Sequence, residues 1–377
     1  MKKFFTNLSI LGLFVFCFVV SILTVLWWKS SSFQVYIPPK KLSSTATNSR
    51  DLFNIKLNGK YGCIDKEGKI AIEPKFDDIQ CSEDELIPIE INEKWGFVNQ
   101  SGEIILELQF YLSPTGYSKY FSEGLAVVCM NRKCGYIDSS GNYVIEPKFD
   151  YAENFSDGLA IVQIGAYDFL GYRLRFPKTV FINKQGEILF DKENFTIEHK
   201  FTDGLAKVSV NGKFGFIDKS GKFVINPQDK NIGSFQEGLA TISDKSGVLQ
   251  LGYVNKNGQV VIPQQFKQAG EFSEGLANVM FENGKYGYID KTGKTVIEPQ
   301  FDYAGTFYDE RAVVSIGTKN GYVDKIGKVV VPIQFGSAER FVNGLAQVSF
   351  DDQNPPYENK KRGYIDKSGN FILKPTN

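Results

Sequence analysis

Histidine is all but missing: His199 is the only one among 377 residues. With no second imidazole, multi-histidine metal sites are excluded, and a His-dependent catalytic triad would have to use His199. His199 itself, beside Lys200, reads as a solvated loop residue. Phosphate loops of the G-x-G-x-x-G or Walker type are missing too, although glycine is plentiful at 36 residues. No net charge is present, with 43 basic and 43 acidic residues. That balance hides an asymmetry. Residues 1–50 hold six basic residues and no acidic one, so 51–377 carries 37 basic and 43 acidic. A mildly acidic body argues against nucleic acid, whose binding rests on Lys and Arg at phosphates. No cofactor, metal or catalytic set is expected.

Aromatics make up 14% and apolar residues 42%. This composition suits β-strands and tight turns, with enough apolar surface for a core. Residues 4–28 are uncharged, and roughly 20 apolar residues span a bilayer as a helix. Trp27 and Trp28 close the run, where an aromatic belt belongs. The stretch exceeds a usual signal-peptide core and no small-x-small cleavage site follows, so 1–28 reads as an uncleaved signal-anchor, with secretion after cleavage as the alternative. Lys2 and Lys3 against Lys29 place the N-terminus in the cytoplasm and the body outside the membrane. Residues 29–50, rich in Ser, Thr and Pro, read as a linker.

Residues 51–377 are repetitive. KYGCIDKEGKIAIEPKFD (60–77), KCGYIDSSGNYVIEPKFD (133–150) and KYGYIDKTGKTVIEPQFD (285–302) are near copies. The glycine of the first dipeptide falls at 62, 96, 135, 215, 252, 287, 321 and 363, with Val180 in its place in the fourth unit. Every unit then carries Asp or Asn, two residues and Gly, from Asp65/Gly68 to Asp366/Gly369. The acid or amide caps a type I turn, and Gly takes the left-handed position that follows. A Ca²⁺ loop needs several alternate oxygen ligands, and here Lys commonly fills a central position. Pro74, Pro147, Pro227, Pro263, Pro299, Pro332 and Pro375 mark where a strand leaves its ladder. A second signature, Phe-x-(Asp/Glu/Asn)-Gly-Leu-Ala, recurs from 121 to 346, degenerating at Phe307, where Glu310 and Arg311 replace Gly-Leu. Each unit therefore predicts three short strands.

The units resemble the bacterial WG-repeat (KWG-type) family; the naming dipeptide survives as Lys94-Trp95-Gly96-Phe97. The resemblance implies a β-repeat scaffold with no catalytic residues to transfer. A 35-residue unit cannot bury its own apolar face, so neighbours stack. Nine units exceed the usual four to eight blades of a propeller, and no strand is visibly held back to close a ring. An all-β, open solenoid-like array is therefore expected, with a β-propeller as the alternative.

Three features could carry function. The insertion 163–179 bears Tyr167, Phe169, Tyr172, Arg173 and Arg175, candidate contacts for a protein partner; a longer hairpin is the plainer reading. Residues 351–360 form a second excursion. Cys129 and Cys134 flank a hairpin tip and could form a disulfide in an oxidising compartment, or be ordinary strand residues. The row Tyr136, Phe216, Tyr253, Tyr288, Tyr322 and Tyr364 is expected in the core; exposed, it would offer stacking platforms to cell-wall glycan. The leading expectation is a non-enzymatic, membrane-anchored, extracytoplasmic protein-binding scaffold.

Overall fold

The computed structural model describes residues 50–110, 120–165, 177–190, 195–244, 250–350 and 361–375, all within one compact unit, 43–377. The signal-anchor and, apart from Arg50, the linker lie outside the described residues. Among the described residues no helix is long and apolar enough to cross a membrane.

Nine small antiparallel sheets follow one another along the chain. They are blades 1 to 9, spanning 53–76, 78–110, 125–149, 151–189, 196–228, 231–266, 268–301, 303–335 and 337–373. Three strands per blade match the sequence reading. In blade 7 these are Leu276–Met280, Tyr286–Asp290 and Thr295–Phe301. Seven blades add a two-residue first strand, such as Gln268–Ala269, paired to the end of the second. It is too short to show any periodicity.

The predicted turn forms in all nine blades. Asp290 Oδ1 accepts the N–H groups of Thr292 (2.9 Å) and Lys294 (3.1 Å), and Gly293 takes φ +87°. Glycine serves a second purpose on the third strand. There the fourth strand shifts register: Tyr288 faces Ile297, but Tyr286 faces Phe301. The surplus residues, including Pro299, fold directly over Gly287. A Cβ on Gly287 would lie 2.4 Å from Ile297 O, and one on Gly62 2.4 Å from Ile72 O. The same near-contact recurs at Gly96, Gly135, Gly215, Gly252, Gly321 and Gly363. Blade 4 has Val180 instead, and its fourth strand is only Ile188–Leu189.

Blades join through side chains. The tyrosine after that glycine is buried and donates its hydroxyl to a carbonyl of the next blade: Tyr136 to Glu153, Tyr253 to Gly270, Tyr288 to Gly305 and Tyr322 to Glu339, each at 2.7 Å. A buried hydroxyl needs such a partner. The ring packs edge-to-face with the phenylalanine of the next blade's second signature, as in Tyr288–Phe307 at 4.8 Å. Meanwhile each Asp/Asn-x-x-Gly glycine rests on the preceding blade's fourth strand, as Gly293 does on Ile262.

The same contacts join blade 9 to blade 1. Tyr364 stacks on Phe53 at 5.7 Å and donates to Asn54 O at 2.8 Å. Gly68 rests on Ile372, and Asn343 Nδ2 donates to Asp51 Oδ1 at 2.6 Å. Phe53, Ile55, Ile64, Leu345 and Tyr364 form one buried cluster. The fold is a closed nine-bladed β-propeller, which corrects the expectation of an open array. Because these junctions are built from side-chain packing within self-contained sheets, no strand has to be exchanged to seal the ring.

Two disulfides are present among the described residues. Cys129 and Cys134 face each other across the blade 3 hairpin, Cα atoms 4.0 Å apart. Cys63 joins Cys81 across blades 1 and 2, Cα atoms 5.9 Å apart. Cys63 stands where other blades have the latching tyrosine, so a covalent link replaces that latch. By the loop-closure relation their reduction should cost about 3 kcal/mol for the longer loop and about 2 kcal/mol for the shorter. Urea unfolding with and without reductant measures this as a lowered midpoint.

Candidate interaction surfaces

The second signature builds a belt. Its tips are two-residue turns with both φ positive, such as Asp203 (+55°) and Gly204 (+84°). Six of these tips carry an acid, whose side chain reaches the tip of the next blade. Glu123 accepts from Gly158 N (3.1 Å), Asp157 from Gly204 N (2.6 Å), Asp203 from Gly238 N (2.6 Å) and Glu237 from Gly275 N (3.1 Å). Glu274 accepts from Glu310 N at 3.1 Å, and Asp309 from Gly344 N at 2.5 Å. Lysines from the first turn of the next blade cover five of these carboxylates. Lys184 binds Glu123 (3.2 Å), Lys256 binds Asp203 (2.7 Å), Lys291 binds Glu237 (2.9 Å), Lys325 binds Glu274 (3.0 Å), and Lys367 binds Asp309. The links run from the tip of blade 3 to the tip of blade 9, where Asn343 continues them to Asp51.

At Glu123 and Glu237 burial pushes the carboxyl up, but the neighbouring N–H and lysine groups outweigh it and both sit below the ordinary 4.5. A depressed carboxyl contributes stability that is present above the unfolded value and lost as pH falls through the folded one. Thermal midpoints should therefore be level near neutrality and drop as pH goes below about 4.5. Glu123→Gln and Glu237→Gln together should shrink that drop; scanning calorimetry between pH 7 and pH 3 checks it.

The opposite end of each sheet carries the hairpin between second and third strands, as at Asn58–Gly59 and Asn211–Gly212. The insertion 163–179 falls in this connection of blade 4, between Ala160–Ile164 and Lys178–Ile182. The excursion 351–360 falls in the same connection of blade 9, between Leu345–Ser349 and Arg362–Asp366. The described strand ends that flank both connections lie on one end of the ring, with the Cys129–Cys134 hairpin. Tyr167, Phe169, Tyr172, Arg173 and Arg175 themselves lie outside the described residues.

The aromatic row is interior. Tyr136, Tyr253, Tyr288 and Tyr322 are fully buried, Phe216 is 2% exposed and Tyr364 7%. Burial also pushes the Tyr364 hydroxyl up to about 12. These rings hold blades together and offer no face to a sugar. Two depressions open on the described surface. One of about 300 Å³ lies beside the shortened strand of blade 4, lined by Val180, Leu189, Phe190 and Phe195. The other, about 310 Å³, lies on blade 8 among Glu310, Arg311, Asp324, Lys325 and Ile326.

The model of the WG containing repeat matches residues 61–95, 95–134, 135–167, 181–214, 214–245, 252–286, 286–319 and 321–353. The chain belongs to the WG-repeat family. In WG-repeat terms, each matched segment starts at or near the third strand of one blade and reaches into the next blade. The name-giving glycine is the one crossed by the fourth strand, and Trp95 beside it is buried. No curated protein matches the WG-repeat chain. Among solved structures it is similar to a eukaryotic initiation factor, with TM-score 0.48, 14% identity, 76% of this chain and 82% of that one covered. It is also similar to BamB from Moraxella catarrhalis, with TM-score 0.36, 11% identity, 83% and 97% covered. A third is AztD from Citrobacter koseri, with TM-score 0.36, 13% identity, 71% and 89% covered.

Proposed function

We propose that this WG-repeat propeller is a non-enzymatic scaffold that binds protein, held outside the cytoplasm by residues 4–28. One observation carries the reading. The residues at repeat period join blade to blade, while the turns and connections at the two ends of a closed ring vary in sequence. A rigid ring with individually varied turns suits partner recognition, since loops on a fixed scaffold carry binding. The two disulfides favour an oxidising compartment. With its aromatic row buried, binding to cell-wall glycan has no remaining support in the sequence.

Cross-linking followed by affinity capture of the full chain in its membrane should recover a stoichiometric protein partner. Turnover of a defined substrate, abolished by one point substitution, would overturn the non-enzymatic reading. A reporter that works only in the cytoplasm, fused after Asn377, should be silent; activity there would overturn the topology.

A further inference from the structure

Blade 8 breaks the repeat at three places that meet in one depression. Where other tips have glycine at φ near +85°, such as Gly158, Gly238 and Gly344, it has Glu310 at +65°. Glycine takes that conformation freely; a side chain pays in steric strain, and such positions cluster at functional sites. Where other blades bury a leucine, as at Leu276 and Leu345, it has Arg311. At the third position of the first turn, where Ser101, Ser140, Ser220 and Ser368 stand elsewhere, it has Ile326, 80% exposed. Glu310, Arg311 and Ile326 line the same open cavity of about 310 Å³.

Two cations, Arg311 and Lys325, and two carboxylates, Glu310 and Asp324, line it, but Arg311 has no carboxylate partner. Arg311 is held by carbonyls alone: Nε donates to Lys367 O at 3.3 Å and Nη1 to Glu310 O at 3.0 Å. No carboxylate of the described residues pairs with it. The local carboxylates are engaged elsewhere. Glu274 has Lys325 and Glu310 N, Asp309 has Lys367 and Gly344 N, Glu310 faces Lys367 at 3.5 Å, and Asp324 caps its own turn. Beside the same tip, Arg340 stacks on Tyr308 at 4.6 Å. A positioned guanidinium without a counter-ion is complementary to a carboxylate, which it binds through two parallel hydrogen bonds.

We propose that the blade 8 depression binds an extended peptide segment of a partner protein, with an aspartate or glutamate side chain on Arg311 and an adjacent aliphatic side chain against Ile326. This rests on the protein-binding reading above and names the chemistry of its partner. The test pans a random peptide library, displayed through its C-terminus so that only side-chain carboxylates are offered, against the full chain in detergent. Peptides with an acidic residue next to Leu, Ile or Val should enrich. Arg311→Leu and Ile326→Ser each install the residue that other blades carry, so the fold should persist, as a retained thermal transition verifies. Each should weaken the selected peptides by ~10-fold or more, the loss of a charged hydrogen-bonded contact or a buried aliphatic one. Glu310→Gly should raise the thermal midpoint by a few degrees.

No enrichment of acidic–aliphatic peptides overturns the site, as does equal affinity for wild type and both variants. Concentration-dependent self-association abolished by Ile326→Ser would also overturn it, identifying a second copy as the occupant. A protein partner captured equally by wild type and Arg311→Leu would sink the site while leaving the scaffold reading intact. Failure to capture any protein would sink the scaffold reading.

Discussion

Gly287→Val should be among the most damaging single substitutions in the ring, at about 3–5 kcal/mol, the range reserved for changes a core cannot absorb by side-chain adjustment. The obstacle is backbone. A Cβ at 287 would sit 2.4 Å from Ile297 O and 3.0 Å from Pro299 N, so the fourth strand must lift off the third. Even alanine meets that clash. Lifting the strand exposes Ile297 and Phe301, which are 2% and 1% exposed, and frees the surface on which Gly327 of blade 8 rests. Blade 4 shows the alternative: with Val180, the fourth strand is reduced to two residues. Val180→Gly should also destabilise, by about 2–4 kcal/mol, because Val180 is buried in the core cluster with Tyr136 and Phe155 and no crossing strand stands ready to fill the space it leaves. Urea unfolding measures both, and limited proteolysis should cut Gly287→Val within 295–301. An unfolding midpoint within error of wild type for Gly287→Val would show that the crossing is dispensable.

Tyr364→Ala should cost nearly as much, about 3–5 kcal/mol for truncating a buried aromatic. Its effect should differ in kind. Tyr364 closes the ring across the junction that the polypeptide does not run through. Its ring meets Phe53 and its hydroxyl meets Asn54 O. Without it, blades 9 and 1 retain Asn343–Asp51 and the Gly68–Ile372 contact, and the seam should open at lower denaturant than the body. Tyr288→Ala removes an equivalent latch where the chain continues from blade to blade, so it should lower the midpoint without separating two transitions. Tyr364→Phe isolates the hydroxyl and should cost about 1 kcal/mol. Hydrogen exchange at residues 53–57 is the decisive measurement. Unchanged protection there in Tyr364→Ala would mean that the seam does not depend on the latch.

The local architecture was legible in the residues. Asp or Asn before two residues and Gly announced every first turn, since those side chains bond their own backbone and Gly accepts positive φ. The acidic belt was half legible. Its acids stand before the glycine of the second signature, but Lys256 lies 53 residues beyond Asp203. Nothing local signals that pairing; only the joint recurrence of acid and lysine through the repeats does. Cys63–Cys81 carried a similar signal that was missed. Cys63 occupies the latch position and Cys81 lies 18 residues on, one residue beyond the 17 that separate each latching tyrosine from its carbonyl. The blade 8 depression was visible as a degenerate motif, Glu310–Arg311, but not as a site. Ile326 joins it only through the fold.

What the residues determined by themselves is the blade: a strand order, two turns and a glycine at each, all governed by interactions within about 35 positions. What only the tertiary structure decided is how many blades make a whole. The small rotation between neighbours is set by how Tyr, Phe and Gly from adjacent sheets pack. It accumulates over nine junctions until Tyr364 meets Phe53. A repeat states that angle nowhere, because no single junction reveals whether the sum of nine will close.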